Sequence, residues 1–451
     1  MERHHETGAM ACPRSLGDVD LFGPGAAEHW YAAYPILHAE APVLRLPGEG
    51  ITPERDAFVL TRHADIARVV RDWERYPPTL SLLVAQIRES GKMARAMPDI
   101  DAMVQSIVSL RPTPELWRPH RQQLTDPWVG PGARRHEAMI TGHVDALIDS
   151  WIGGGQIDVR RIDFVAQFAR PLPQRTLASV LGFPQEDIPR LEIWGNAQVM
   201  SYVHGCGHNN ILTAEQTAEK FRLLAGFSDY VRDQVRDKRA APQDDMISFL
   251  TQVVYEPLDR HLTDEEINGI VYAMVIGGLE TTQYALAEQA RLIGEQDGQS
   301  DGRLFDRLKR DRALVRPFIE EAMRLRSPTQ GLSTRLTSRD EVFQGVEVPA
   351  GSTLHLRWGA ANIDPDEFED ADQLKLDRKA VTRHLAFSAG PRVCPGAGLS
   401  RLEQTIAWNR LLDRLDGIAL APGNTFERQP GIMLGTKSLH LAITPAQEAL
   451  T

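Results

Sequence analysis

The chain has 451 residues and a formal net charge of −11 at pH 7, with 42% hydrophobic and 25% charged residues. This is the composition of a globular protein, and the negative charge argues against a nucleic-acid partner. No run approaches the ~18–20 uninterrupted apolar residues of a membrane-spanning helix, no signal peptide opens the chain, and three cysteines argue against a disulfide framework. We therefore expect a cytoplasmic protein without a membrane anchor.

The N-terminal half reads as a polar start, a small hairpin and then helices. Residues 1–17 are predicted to be disordered, and residues 18–451 are expected to form one domain. Segments 42–46 and 57–61 alternate in hydrophobicity and predict a β-hairpin, and the apolar positions between 64 and 70 predict a helix after it. Longer helices are predicted at 136–152, 159–182, 214–239 and 263–292.

The C-terminal half brings short strands back. Strands are predicted at 342–348 and 353–356, joined by a turn at 349–351, and residues 430–442 predict a final hairpin. No internal repeat or flexible linker divides the sequence. The predicted fold class is mainly α with small β-sheets.

The most informative run is 384–396, which reads HLAFSAGPRVCPG. Its Gly-Pro and Pro-Gly pairs predict a stiff turn, and an apolar helix pattern opens at about Pro395. A cysteine at a helix N-terminus faces free amides and the positive end of the helix dipole, which favour its thiolate. Cys394 is therefore a candidate ligand for a haem iron, whereas Cys12 and Cys206 are expected to be ordinary buried cysteines.

The helix predicted at 263–292 contains an unusual interruption. Thr263 with Glu266 three residues later predicts a capping box at its start. Gly277 and Gly278 follow in the middle of the helix, where each costs roughly 0.5–1 kcal/mol relative to alanine. Their presence points to a requirement other than helix stability, or to close packing against a neighbouring helix.

Together these motifs resemble the cytochrome P450 family over nearly the whole chain, from about residue 18 to residue 444. The resemblance implies one mainly α domain that binds haem b, iron protoporphyrin IX. Cys394 would be the axial thiolate ligand. The haem-loop skeleton that carries the resemblance is Phe387, Gly390, Arg392, Cys394 and Gly396.

The interrupted helix matches the family pattern of a small residue, glycine, any residue, an acid and threonine. The resemblance implies a local opening of the helix above the haem, next to Gly277 and Gly278, that leaves room for O₂. Thr281 would hold a hydrogen bond to the activated oxygen, and Glu280 would relay protons from solvent. From the residues alone, Thr281 could instead bond to a carbonyl one turn earlier, and Glu280 could be a surface acid.

A second motif, Glu321-x-x-Arg324, lies about seventy residues before Cys394. Acid and base fall on one helix face at this spacing. Such pairs are common, and the residues alone indicate no special role. The resemblance implies a buried structural network that also includes an arginine from segment 367–378, with Arg378 favoured.

The haem propionates need cations, and the resemblance implies Arg392, Arg335 and one early helix as their source. Aligning that helix on Trp-x-x-x-Arg gives Trp117 and Arg121 as cofactor-binding residues, with Trp128 at an aromatic position, and we prefer this alignment. Aligning on Pro-Glu gives Leu116 and His120 instead. The resemblance also places Phe387, Gly396 and Gly278 next to the cofactor.

The chain departs from the family pattern at two positions of the haem loop. Ser388 replaces the glycine that usually follows the phenylalanine. Pro395 has no N–H, so one of the amides that point at the sulfur in the family should be missing. We expect a more electron-rich sulfur and a lower haem reduction potential than with an amide at position 395. Alternatively, the proline only sets the start of the helix.

Family position also implies which residues line the substrate pocket. Their character favours an apolar small molecule, terpenoid-like by resemblance, with one hydrogen bond available from a glutamine. Sterols, aromatics and polyketides remain open. The predicted pocket residues are Val275, Gly277, Gln330, Leu332, Ile432 and Met433.

The resemblance implies a haem-thiolate monooxygenase that hydroxylates or epoxidises its substrate with O₂. Because no reductase domain follows the haem loop, electrons are expected from a separate ferredoxin and ferredoxin reductase. A peroxide-driven haem-thiolate enzyme is one alternative, against which the Glu280-Thr281 pair counts. A non-catalytic haem sensor or carrier, which needs no proton relay, is another.

Overall fold

The computed structural model describes most of the chain. Leu332, one of the predicted pocket residues, lies outside the described part. The described residues are 12–23, 25–81, 84, 101–152, 158–203, 205–206, 209–210, 212–297, 303–331, 334–429 and 431–446.

Helices dominate the described residues. Two π-helical segments, Arg121–Thr125 and Val165–Ala169, adjoin α-helices. The α-helices are α1 Trp30–Glu40, α2 His63–Arg71, α3 Asp101–Leu110, α4 Trp117–His120, α5 Glu137–Ile152, α6 Pro171–Leu181, α7 Ile188–Val203, α8 Ala214–Ala240, α9 Met246–Gln252, α10 Asp264–Gly278, α11 Thr281–Asp297, α12 Leu304–Arg310, α13 Val315–Leu325, α14 Trp358–Ala361 and α15 Ala397–Arg414.

The strands are short and form small sheets. The largest has the order β1-β2-β11-β8, a second has the order β12-β13-β3, and three hairpins pair β9 with β10, β4 with β5 and β6 with β7. The strands are β1 Val43–Leu46, β2 Ala57–Leu60, β3 Ile162–Asp163, β4 Gly205–Cys206, β5 Asn209–Asn210, β6 Val254–Tyr255, β7 Arg260–His261, β8 Thr334–Leu336, β9 Glu341–Phe343, β10 Val346–Val348, β11 Thr353–Leu356, β12 Leu415–Leu420 and β13 His440–Pro445.

Most predicted elements of the N-terminal half are confirmed. Strands β1 and β2 pair antiparallel, with Val43 opposite Leu60, and α2, α5 and α8 lie where helices were predicted. The prediction of one helix over 159–182 is wrong. Strand β3 comes first, and α6 begins only at Pro171, because a proline lacks an amide hydrogen and is suited to the first turn of a helix.

The predicted helix over 263–292 begins with the expected capping box, formed by Thr263 and Glu266. It is divided into α10 and α11 by Leu279 and Glu280. The division falls directly after the two glycines that the sequence analysis singled out.

The C-terminal strand predictions need correction. Segment 342–348 is a hairpin, because Gln344 and Gly345 adopt left-handed φ values of 50° and 79° and reverse the chain. Strand β11 therefore pairs with β2 and β8, not with β10. In the predicted tail hairpin, β13 pairs with β12 and β3, while an isolated bridge joins Arg428 to Thr436.

Two expectations about the chain start also change. Within the predicted disordered segment 1–17, residues 12–17 are described, and a turn at Leu16–Asp18 is closed by Ser15 and Asp18. Cys12 is exposed, so it is not the buried cysteine that we expected. Among the described helices, none is long and apolar enough to cross a membrane.

The core has one large and two smaller hydrophobic clusters. The large cluster joins α5, α6, α8, α10, α11, α13 and α15. A second cluster fills the space between the largest sheet and α2, and a third packs around α1. Helices α10 and α15 therefore meet the same core, and this fixes the haem-loop segment relative to the interrupted helix.

Candidate active site

The loop around Cys394 is held in a fixed path by its own backbone. The Cys394 amide donates to the Phe387 carbonyl over 2.9 Å, and the Val393 amide donates to the Gly390 carbonyl over 3.1 Å. Gly390 has a φ of 72°, and a Cβ there would lie 2.7 Å from the Val70 carbonyl oxygen. Glycine is therefore required at position 390, both for the conformation and for the space.

The residues next to the cysteine set its electrostatics. Burial raises the pKa of the Cys394 thiol, while the amides of Gly396 and Ala397 and the charges of Arg121 and Arg401 act in the opposite direction. The helix N-terminus thus favours the thiolate as predicted, but burial outweighs it in the free thiol. A bound metal ion would deprotonate the thiol outright.

The structure shows the backbone at Pro395 and Ser388, the two positions where the haem loop departs from the family pattern. Helix α15 begins at Ala397 with Gly396 as its N-cap, so Pro395 precedes the helix and is not in its first turn. The amides that act on the sulfur come from Gly396 and Ala397. Ser388 has a left-handed φ of 59°, which explains why glycine suits this position.

A cavity of about 190 Å³ lies between the cysteine loop, α10 and segment 111–125. Its apolar side is formed by residues of α3 and α10, such as Ile107 and Met274. Its other side carries the side chains of Arg111, Trp117, His120, Arg121 and Arg392.

Arg111 and Arg392, which line this cavity, and the nearby Arg335 carry like charges that disfavour one another. Desolvation and the neighbouring Arg392 lower the pKa of Arg111 to about 10, and the same two causes lower that of Arg335 to about 10. Burial also lowers the pKa of Arg392 itself. Desolvation, Arg111 and Arg121 lower the pKa of His120 to about 2, so this histidine is neutral.

These cations have few acceptors among the described residues. Arg121 donates to the Val393 carbonyl over 2.8 Å and lies 3.5 Å from Asp126. The Nε atoms of Arg111 and Arg121 are buried without a hydrogen-bond partner. A ligand with two carboxylates fits this surplus of positive charge and unpaired donors, and a haem has two propionates.

The preferred alignment of the early helix agrees with this geometry. Trp117 and Arg121 both line the cavity, and the Arg392 guanidinium lies 5.3 Å from the centre of the Trp117 ring. His120 from the other alignment also lines the cavity, with its Nδ1 unpaired. Arg111 was not predicted from the sequence, although it directly follows the mostly apolar run SIVSL.

The two glycines of the interrupted helix face different surroundings. A Cβ on Gly277 would meet nothing within 4 Å, whereas a Cβ on Gly278 would lie 3.2 Å from Leu177 of α6. Gly278 thus allows α10 to pack closely against α6. The side of Gly278 on which a side chain would lie faces Leu177, not a space that could hold a cofactor. Gly277 borders open space, and its place beside the substrate stays a prediction.

The alternative contact holds for Thr281, whereas the surface-acid alternative does not hold for Glu280. The Thr281 hydroxyl donates to the Gly277 carbonyl over 2.8 Å, which is the alternative that the residues alone left open. Glu280 is partly buried and accepts a hydrogen bond from the Tyr284 hydroxyl over 3.2 Å, so it is not a surface acid. Burial raises the pKa of Glu280, while Tyr284 and the nearby Arg170 lower it.

The predicted structural network is present. Glu321 and Arg324 are fully buried and meet over 2.8 Å, and Arg378 reaches the same carboxylate over 2.9 Å. The remaining donors of Arg324 bond to the carbonyls of Asn362, Ala371 and Gln373.

The predicted substrate pocket is corrected at two positions. Gln330 is fully buried, its amide nitrogen donates to Tyr31 and to the Ser327 carbonyl, and its amide oxygen accepts from Tyr34, so both of its N–H donors are used within the chain. Val275 is part of the large hydrophobic cluster. Ile432 and Met433 are half-buried, and backbone pairing places them beside segment 329–330.

Comparisons with known proteins give a consistent result. The family model described as Cytochrome P450 matches residues 298–442. The polyketide biosynthesis cytochrome P450 PksS of Bacillus subtilis is 26% identical over 94% of this chain and 99% of its own length. The cytochrome P450 monooxygenase PikC of Streptomyces venezuelae is 27% identical over 99% of both chains. The steroid C26-monooxygenase of Mycolicibacterium smegmatis is 29% identical over 68% of this chain and 72% of its own.

Solved structures of cytochromes P450 share the fold of this chain. That of PksS from Bacillus subtilis 168 matches with a TM-score of 0.76 at 24% identity, over 94% of this chain and 98% of that one. P450BioI in complex with an acyl carrier protein matches with a TM-score of 0.75 at 23% identity, over 92% and 99%. At these identities the likeness shows the fold, and it confirms the predicted mainly α architecture.

Proposed function

The chain belongs to the cytochrome P450 family, and from that premise we propose that Cys394 holds its haem iron and that the substrate is an apolar secondary metabolite. The protein is a haem b-containing monooxygenase of the bacterial type, an oxidoreductase that acts on a small molecule with O₂ and a redox partner. Bound haem supplies the activation of O₂ and the electron transfer. The residues of the chain have to hold the haem, exclude water and deliver protons.

The observation that carries this proposal is the group of arginines beside the cysteine loop, which have few acceptors among the described residues. Arg111, Arg121, Arg335 and Arg392 are the residues that would bind the propionates. Trp117 packs beside Arg392 and would cover one edge of the haem, with Phe387 and Gly396 on the cysteine side. Gly278 packs against α6 and is not among the proposed haem contacts.

Glu280 and Thr281 are the proposed groups for proton delivery. The raised pKa of Glu280 lets it hold a proton closer to neutral pH than an ordinary carboxyl does. The Tyr284 hydroxyl orients this carboxyl, and the surface pair Arg170–Glu192 lies near it. Thr281 donates to the Gly277 carbonyl at rest, so its hydroxyl has to turn before it can donate elsewhere.

The substrate class follows from the apolar residues near the cavity and from the relatives. The sequence favours a terpenoid-like compound, and half-buried Ile432 and Met433 suit an apolar ligand. The relative PksS, which is named for polyketide biosynthesis, makes a polyketide the second candidate. Electrons would come from a ferredoxin and its reductase.

The test is an optical titration of the haem-loaded protein with terpenoids, polyketides, sterols and aromatics. A saturable low- to high-spin shift with one class identifies the substrate class. A protein without a thiolate-type ferrous carbonyl spectrum, or a Cys394→Ser variant that keeps this spectrum, would contradict the assignment of Cys394. A shift only with a carrier-bound compound would replace free substrates by a loaded carrier protein.

Turnover with a ferredoxin system then tests the proton-delivery residues. In Thr281→Ala we expect the product formed per electron pair to fall by about tenfold, with release of peroxide, because a positioned proton donor is lost. Thr282→Ala is the matched control, since the hydroxyl of Thr282 faces Ser400 at 3.0 Å. If the wild type and Thr281→Ala formed the same amount of product per electron pair, the peroxide-driven or non-catalytic alternative would be favoured.

A further inference from the structure

A buried carboxylate lies behind the cysteine loop, on the residue next to Glu321. Glu320 belongs to α13, and its side chain is only 3% exposed. Its Oε1 accepts from Arg401 Nε over 2.6 Å, and its Oε2 accepts from Arg401 Nη2 over 2.9 Å. His384 Nε2 approaches the same Oε2 to 3.0 Å. Neither the E-x-x-R motif nor the haem-loop skeleton includes these three residues.

The hydrogen bonds among Glu320, His384 and Arg401 indicate which of these side chains are charged. The Ala386 amide donates to His384 Nδ1 over 3.2 Å, so Nδ1 must carry a lone pair and the ring proton lies on Nε2. His384 is then a neutral donor to Glu320. Burial raises the pKa of Glu320, but the bonds from His384 and Arg401 outweigh it and hold the value at about 2. The charged pair is Glu320 with Arg401.

The pair has a defined orientation relative to the cysteine. The Arg401 guanidinium lies 4.4 Å from the centre of the Phe387 ring, and the Phe387 carbonyl accepts the amide of Cys394 over 2.9 Å. Phe387 thus connects the guanidinium to the cysteine, and the positive charge of Arg401 acts on the sulfur across this residue. Glu320 bonds to two nitrogens of the same guanidinium and offsets its charge.

We propose that Glu320 and Arg401 are positioning residues that set the reduction potential of the iron bound by Cys394. Arg401 favours the reduced, less positive iron, and Glu320 limits this effect by compensating the guanidinium and by fixing it over Phe387. The proposal rests on the proposed function, in which Cys394 is the iron ligand. It assigns to the pair a role that the Glu321–Arg324–Arg378 network does not have.

The test is a potentiometric titration of the haem-loaded protein. Glu320→Gln keeps the size of the side chain and leaves the guanidinium uncompensated, so the potential should rise. Arg401→Gln removes the positive charge and leaves the carboxylate, so the potential should fall. The reduction potential of the double variant should lie closer to that of the wild type than the potential of either single variant does. Arg401→Lys keeps the positive charge, so its potential should fall much less than that of Arg401→Gln.

The chain provides a matched control on the same helix. Arg410 of α15 is 32% exposed, as is Arg401, and it pairs with Asp145 over 2.7 Å. Arg410→Gln and Asp145→Asn should leave the potential unchanged, since this pair does not contact the cysteine loop. A general effect of charge on the protein would move the potential in these variants as well.

Several outcomes would overturn the proposal. Shifts of the same sign in Glu320→Gln and Arg401→Gln, or no shift in either, would show that the group only stabilises the fold. Arg401 is partly exposed, so its variants decide the question even if Glu320→Gln fails to bind haem. Failure of the proposed function is distinguishable, because the wild type would then lack a thiolate-type ferrous carbonyl spectrum.

Discussion

Two groups of arginines in this protein are removed from water, and they differ in how their charge is compensated. In the network of Glu321, Arg324 and Arg378, the guanidinium groups bond to a buried carboxylate and to backbone carbonyls. Around the cavity, the charge of Arg392 disfavours the charge of Arg111, and the described residues offer the buried Nε of Arg111 no hydrogen-bond partner.

The difference separates scaffold from site. Moving a charge out of water costs several kcal/mol unless partners replace the water. The first group has its partners within the chain, so it can contribute to the fold without any ligand. The described residues offer the second group few such partners, so its burial carries a cost that an anionic ligand would offset. The predictions below test this contrast.

The largest effect is expected in the compensated network. Glu321→Gln leaves Arg324 and Arg378 without their carboxylate, and breaking a buried pair typically costs about 3–5 kcal/mol of unfolding free energy. Denaturant unfolding of the haem-loaded protein measures this loss. The exposed pair Glu219–Arg222 has the same i,i+3 spacing, and Glu219→Gln should leave the unfolding free energy almost unchanged. Similar losses in the two variants would contradict the contrast.

The sequence predicted the parts of the site that depend on local spacing. The turn and helix start around Cys394 follow from glycine and proline positions, and the Glu321–Arg324 pair follows from the helix period. The break between α10 and α11 coincides with Gly277 and Gly278. In each case the determining residues lie within a few positions of one another.

The rest depends on contacts between distant segments. The three bonds of Gln330 link it to α1 and to the end of α13, which no local pattern reveals. The strand predicted at 342–348 failed because turn geometry at Gln344 outweighed strand propensity. Arg111 and the Glu320–Arg401 pair acquire their roles only from the cavity and the loop that the fold places beside them.

A smaller effect is expected at Glu403 of α15, a buried acid that has no cation beside it among the described residues. Burial raises its pKa to about 8, and the hydroxyls of Thr176 and Thr282 lower it only in part. Because the folded pKa lies above the unfolded value, this residue makes the fold less stable as pH rises from about 4.5 to about 8.

Glu403→Gln removes this dependence. Unfolding free energies of the haem-loaded protein should be similar in variant and wild type near pH 5, and the variant should be more stable at pH 7 by on the order of 3 kcal/mol. Glu219→Gln serves as the control, with a difference that does not change over this range. A Glu403→Gln variant that is equally destabilised at both pH values would mean that the carboxyl is paired after all.

The smallest effect is expected at Arg111, where the contrast predicts opposite signs with and without haem. Arg111→Met removes an uncompensated cation from the apoprotein, whose unfolding free energy should rise by about 1 kcal/mol. The haem-loaded variant loses a charged hydrogen bond of about 1.5–3 kcal/mol, so haem should transfer to an acceptor protein at least about tenfold faster. The exposed Arg118 gives the control, because Arg118→Met should change neither quantity. If Arg111→Met destabilised the apoprotein, Arg111 would belong to the scaffold.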